Sequence, residues 1–194
     1  SMRAFIAIDI GDAARDELAR AASRGAAIAP HAKWIHGDGL HVTLVFLGSI
    51  DDGAVVGVER VLAQVAAGAA PFPLGVGPLG TFGHASRPSV LWASLSGDVA
   101  RLREVKASLG RGLAGIAPEE ERPFSPHVTL ARARDHRGDR ELAAAAARVA
   151  PGAEHPFLVS KLVLYRSDRG PAGARYTRVA VAALGAAREP SPSD

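Results

Sequence analysis

One tetrapeptide occurs twice in this chain: His41-Val42-Thr43-Leu44 returns as His127-Val128-Thr129-Leu130. In an extended strand, residues two apart share a face. Each copy therefore sets an imidazole beside a hydroxyl on one side and turns Val and Leu to the other. A chain with two such strands must bury two apolar faces and keep four polar side chains accessible. A pair of these strands can surround one small anionic group.

Metal-free cleavage of a phosphoester needs a neutral imidazole to take a proton from water. It also needs an imidazolium to protonate the departing alkoxide. Histidine, with an ordinary pKa near 6.5, supplies both forms at neutral pH. The threonine hydroxyls can donate to non-bridging phosphate oxygens, where charge must be held through the transition state. His41 and His127 are thus the candidate catalytic residues, and Thr43 and Thr129 the candidate phosphate ligands. The symmetry of the motif leaves open which histidine is acid and which is base. The alternative is a pair of half-buried strands whose histidines are satisfied core residues.

The copies stand 86 residues apart, and the same shift lays Gly11-Asp12-Ala13-Ala14-Arg15 on Gly97-Asp98-Val99-Ala100-Arg101. An internal duplication accounts for both matches at once. It implies two similar lobes, the second repeat beginning near 89, each giving one His-x-Thr strand to a shared groove. Apolar spacing predicts strands over 3–9, 33–35, 40–47, 71–82, 89–95, 127–131, 156–165 and 176–184. Helices are expected over 12–24 with Asp12 as N-cap, and over 52–67, 98–113 and 138–149. Gly48 closes the strand before it, and 83–88 and 167–174 read as loops. The expected fold is α+β, one domain over 2–185 with largely antiparallel sheets flanked by helices, and 186–194 is expected to be a disordered tail.

The 194 residues suffice for one medium domain, and the absence of cysteine excludes a disulfide framework and thiolate metal sites. No apolar stretch near the start is long enough to span a bilayer, so a cytoplasmic, monomeric protein is expected. A net charge of +3 permits an anionic substrate without demanding one. His31 and His36 match no zinc spacing, and no cofactor or metal is expected. No glycine-rich phosphate loop with Lys and Ser/Thr is present. Trp34 is read as core packing, with base stacking at a groove mouth as the alternative. Arg132 follows the second copy and can pair with a phosphate, although strand parity turns it away from His127 and Thr129 unless a bulge intervenes.

The segments His41 to Gly48 and Pro126 to Arg132 resemble the paired signatures of the two-histidine (2H) phosphoesterases. The resemblance is to the RNA 2',3'-cyclic phosphodiesterases also called 2'-5' RNA ligases. It extends to Arg3–Ile8, Gly77–Gly83, Val90–Trp92 and the stretch from Tyr165 to Tyr176. It implies a bilobal α+β fold with pseudo-twofold symmetry and metal-free hydrolysis of RNA 2',3'-cyclic phosphate ends to 2'-phosphomonoesters, the expected partners being RNA or nucleotides with such ends. By the same resemblance His41 is the proton donor to the 3' oxygen and His127 the base. Thr43, Thr129 and Arg132 then hold the phosphate. The competing readings are 2'-5' RNA ligation, a non-catalytic module that grips RNA ends, and a scaffold with no ligand.

Overall fold

The structure is a computed structural model and describes residues 1–150 and 155–185. The expected tail over 186–194 lies outside the described residues. In chain order the elements are β1 (Met2–Asp9), α1 (Asp12–Ile28), β2 (Lys33–Trp34), β3 (His41–Ile50), α2 (Asp52–Ala67), β4 (Phe72–His84) and β5 (Arg87–Gly97). There follow α3 (Val99–Gly112), β6 (His127–Arg132), α4 (Arg140–Arg148), β7 (Phe157–Val159), β8 (Lys161–Gly170) and β9 (Gly173–Ala183).

The strands form one sheet in the order β7-β4-β5-β6-β3-β1-β8-β9, with β2 beside β6 and every described pairing antiparallel. One residue, Ser160, separates β7 from β8, yet these strands stand far apart in that order. A single residue spans only about 3.5 Å, so the sheet must curl until the two regions approach each other. Helices α1 and α4 pack together against β4, β5 and β6, while α2 and α3 pack together against β3, β8 and β9.

The apolar faces of both motif strands enter one core: Val42, Leu44, Val128 and Leu130 are fully buried, while His41, Thr43, His127 and Thr129 are half-buried on the other face. A slip of one residue would expose those four core side chains at about 1.5–3 kcal/mol each. The core therefore sets which way the histidines point.

At the shift of 86, β1, α1, β3, α2 and β4 fall on β5, α3, β6, α4 and β8 in the same order. The spatial halves are nevertheless not the sequence halves. β4 pairs with β5, and β8 pairs with β1, so each half of the sheet takes a strand from the other half of the chain. The two-residue turn between β4 and β5 forces the first of these pairings.

Several boundaries differ from the sequence expectations. The N-cap of α1 is Gly11, at φ 78°, without a side-chain cap, and Asp12 is the first helical residue. Helix α1 runs on to Ile28 through Gly25, where a Cβ would sit 2.3 Å from the Trp34 ring. The helix expected over 12–24 thus passes through Gly25, which is a packing site. β3 continues past Gly48 because β1 pairs with it as far as Ile50. The loops expected over 83–88 and 167–174 are largely strand, since both hairpins turn on two residues. The strand expected over 156–165 breaks at Ser160 because its two parts pair with different neighbours.

Candidate active site

Val42 pairs with Val128 across β3 and β6. The antiparallel register carries His41 opposite Thr129 and Thr43 opposite His127, all on the face away from the core. The four polar side chains line one cavity of about 910 Å³ together with Arg132, Phe5, Phe46 and Tyr176.

The placement of Arg132 depends on a bulge. Between β5 and β6, Leu91 pairs with Ala131 and Trp92 with Thr129, so Leu130 is the extra residue. The bulge consumes one step of alternation, leaves Leu130 and Ala131 both buried, and returns Arg132 to the groove opposite Val90. The parity objection to Arg132 is thereby removed. β3 carries the same device: Ile6 pairs with Val45 and Ala7 with Thr43, making Leu44 the extra residue and turning Phe46 toward the cavity. Leu44 and Leu130 occupy the same place in their tetrapeptides. One groove position thus holds a cation and its counterpart an aromatic ring.

Both imidazoles are oriented through the backbone. The Ser125 carbonyl accepts from His127 Nδ1–H at 2.7 Å, which leaves Nε2 as the nitrogen free to exchange a proton. The Gly39 carbonyl likewise accepts from the His41 ring, while His41 Nε2 lies 3.1 Å from Thr43 Oγ1. Gly39 and Ser125 each precede their histidine by two residues, so the tautomer device is repeated as well.

Burial lowers the His41 pKa to about 4, opposed by the Asp9 charge and the Gly39 carbonyl and assisted by Arg132. The His127 pKa is also lowered by burial, opposed by the Ser125 carbonyl and assisted by Arg132. Arg132 thus acts electrostatically on both rings.

The surroundings contain residues to which the sequence reading gave no role, several of them within the segments of the family resemblance. Phe5 stacks on His41 at 4.8 Å, and Tyr176 meets it edge-on at 5.4 Å. Phe82 meets His127 edge-on at 5.0 Å. Asp9 is the β1 partner of His41 and accepts from Tyr165 Oη–H at 2.6 Å and from Arg178, with Lys161 Nζ 3.8 Å away. Burial and the Asp9 carboxylate push the Tyr165 hydroxyl up to about 12, so it stays a donor. The alternation of β1 was the available signal, since Phe5, Ala7 and Asp9 share one face. Trp34 is not at the groove: its ring packs at Gly25, and Nε1–H donates to the Ala29 carbonyl at 2.8 Å. His31 and His36 are exposed outside the cavity. Among the described residues no three His, Asp or Glu side chains converge as metal ligands.

The family model of the 2'-5' RNA ligase superfamily matches residues 11–171. This chain belongs to that superfamily. An RNA 2',3'-cyclic phosphodiesterase of Geobacillus stearothermophilus is 32% identical over 165 residues, which is 84% of this chain and 52% of that protein. The chain therefore spans about half the length of that relative. A namesake from Methanothermobacter thermautotrophicus is 26% identical over 180 residues, covering 93% of this chain and 97% of the relative. A crystal structure of a Thermus thermophilus protein superposes with a TM-score of 0.78 at 26% identity, covering 95% of this chain and 98% of that one. The superfamily membership and this superposition agree with the expected 2H-type α+β fold.

Proposed function

We propose that this chain hydrolyses RNA 2',3'-cyclic phosphate ends to 2'-phosphomonoesters without a metal ion. The observation that carries the reading is the antiparallel pairing about Val42 and Val128. It brings two backbone-oriented imidazoles, two hydroxyls and one guanidinium to a single cavity. The name shared by the curated relatives supports the same chemistry.

On this reading the cyclic phosphate sits between the histidines with its non-bridging oxygens on Thr43, Thr129 and Arg132. His127 takes a proton from water through Nε2 as the water oxygen attacks phosphorus. The P–O3' bond breaks opposite to the attack, and His41 protonates the departing 3' oxygen. The two roles follow the family resemblance, and the openness of the His127 side supports them because the base must meet water. Burial keeps His41 neutral at pH 7 by itself, and the negative charge of a seated phosphodiester raises its proton affinity. A donor with a low intrinsic pKa is a strong acid toward an alkoxide.

The remaining elements of the proposal are a single domain over 2–185 arisen by duplication, acting as a cytoplasmic monomer. No helix among the described residues is long and apolar enough to cross a membrane. Sedimentation at micromolar concentration tests the monomer. The reaction itself is tested with purified protein in chelator, nucleoside 2',3'-cyclic phosphates and a short RNA ending in one, the products being read by phosphorus NMR. A 2'-monophosphate is expected. A 3'-monophosphate overturns the leaving-group assignment, a 2'-5' linked product favours ligation, and unchanged but bound RNA favours an end-binding module.

A further inference from the structure

Cations cluster beside and beyond Arg132, whereas the rest of the groove holds Arg3 and Arg122 together with Glu120. Near Arg132 stand Lys33, Arg134 and Arg137, whereas the positions 86 residues away from these four hold Phe46, Glu119, Gly48 and Asp51. The backbone follows the repeat but the charges do not. A mononucleotide gives no reason for a cluster of cations beyond the phosphate site, while a strand leaving the site on that side does.

Three separate segments build this basic end. Lys33 pairs with Arg132 in the β2–β6 register and therefore stands on the groove side beside it. Arg87 opens β5 two residues before Ser89, which lines the cavity. Arg134 stands two residues beyond Arg132. The segments are tied through the backbone: Ala133 N–H donates to the Ser89 carbonyl at 2.9 Å and Asp139 N–H to the Pro88 carbonyl at 2.9 Å. Gly138, at φ 75°, permits this approach, since a Cβ there would lie 2.0 Å from the Arg87 carbonyl oxygen.

The arginines are anchored in a particular way. Arg87 Nε–H donates to the Arg137 carbonyl at 3.0 Å, and Arg134 Nε–H donates to the His31 carbonyl. In both cases the bond uses the inner nitrogen and leaves the terminal amino groups of the guanidinium outward. Among the described residues neither arginine, nor Lys33, forms an ion pair. The nearby carboxylates are committed: Asp135 to Arg137 at 3.5 Å, and Asp139 to the first turn of α4 through Glu141 N–H at 2.8 Å. The result is a set of exposed, partly immobilised cations with unused donors, which suits a track of phosphodiesters.

We infer that Lys33, Arg87 and Arg134 bind the phosphates of the RNA strand 5' to the terminal cyclic phosphate, making the substrate an RNA end in preference to a mononucleotide. This rests on the proposed reading of the groove as a site for RNA 2',3'-cyclic phosphate ends.

The test compares kcat/KM on adenosine 2',3'-cyclic phosphate and on a short oligoribonucleotide ending in the same group, across a salt series. Wild type is expected to prefer the oligomer, with an advantage that falls as salt rises. Lys33→Ala/Arg87→Ala/Arg134→Ala is expected to lose roughly ten-fold or more on the oligomer at low salt, with a log–log salt slope shallower by about two. Its mononucleotide turnover stays within about twofold of wild type, which also reports that it folds. Arg87→Lys/Arg134→Lys keeps the charge without the anchoring bonds and retains most of the salt slope. An unaltered oligomer preference in the triple alanine variant, or an equal fall on both substrates, overturns the inference. If wild type cleaves neither substrate, the proposed reaction fails. Anisotropy with a labelled oligoribonucleotide ending in a 2'-phosphate then tests the track by itself, and triple-variant binding equal to wild type overturns it.

Discussion

At the first motif strand the imidazole of His41 is stacked on Phe5, flanked by Tyr165 and Tyr176, and backed by the Asp9 carboxylate. At the second, His127 meets Phe82 edge-on and Trp92 at 6.2 Å, with Arg132 beyond it and, among the described residues, no carboxylate behind it. The strands share tetrapeptide, bulge and backbone acceptor, so the difference lies in what neighbouring strands bring and in Arg132 standing where β3 has Phe46. The lesson is that a duplicated motif supplies equivalent groups, and their flanks divide the labour between them. On the proposed reading the walled-in ring gives its proton to the leaving oxygen, and the more open ring activates water.

The largest expected effect tests whether both copies are needed. His41→Ala and His127→Ala should each lose about two or more orders of magnitude in kcat, and full activity in either would remove that residue from the chemistry. The next contrast sets Arg132 against its counterpart. Arg132→Ala should cost roughly ten- to a hundred-fold in kcat/KM through the loss of charge-assisted bonds to phosphate. Phe46→Ala, at a site 61% exposed, should cost only a fewfold on a cyclic mononucleotide. Equal losses would mean that the two positions contribute alike.

The pH profile is a finer probe. One ring must be protonated and the other neutral, so kcat/KM should be bell-shaped, with limbs near 4 and below 6.5, the values set by His41 and the depressed His127. The kcat profile should lie at higher pH, because a bound anion stabilises both imidazolium forms. Arg132→Ala should move the kcat/KM bell the same way by removing a charge that lowers both pKa values. A flat profile over this range would break the acid and base assignment.

The smallest effect is on stability. Between about pH 4 and 6.5 folded His41 binds fewer protons than the unfolded chain, so stability rises with pH across that window and is lost on acidification. The loss amounts to at most about 3 kcal/mol and should appear as a falling Tm. His41→Asn should flatten the dependence, and an unchanged slope would place its origin elsewhere.

The His-x-Thr pair, its shared face and most element positions were readable because apolar alternation and helical spacing are local properties. Arg132 was readable only as a conditional, since its direction hangs on the bulge at Leu130, which is a relation between β6 and β5 and leaves no mark in β6 alone. Phe5 and Tyr165 lie in segments of the family resemblance but carried no assigned role, Asp9 carried none either, and the three become neighbours of His41 only through the β1–β3 and β1–β8 registers. Gly48 misled for the same reason: it looks like a local stop, and the pairing of β1 carries the strand past it.

The exchange of β4 and β8 between the halves of the sheet bears on how such a molecule can be assembled. A chain ending at the β4–β5 turn would hold β1, β3 and β4, but β4 would lack the strand it pairs with. Two copies of that half-chain could satisfy each other by lending their last strands across a twofold axis, the arrangement of a domain-swapped dimer. The 194-residue chain has the form of that dimer with its two subunits covalently joined, and neither half contains a lobe that could be cut free intact.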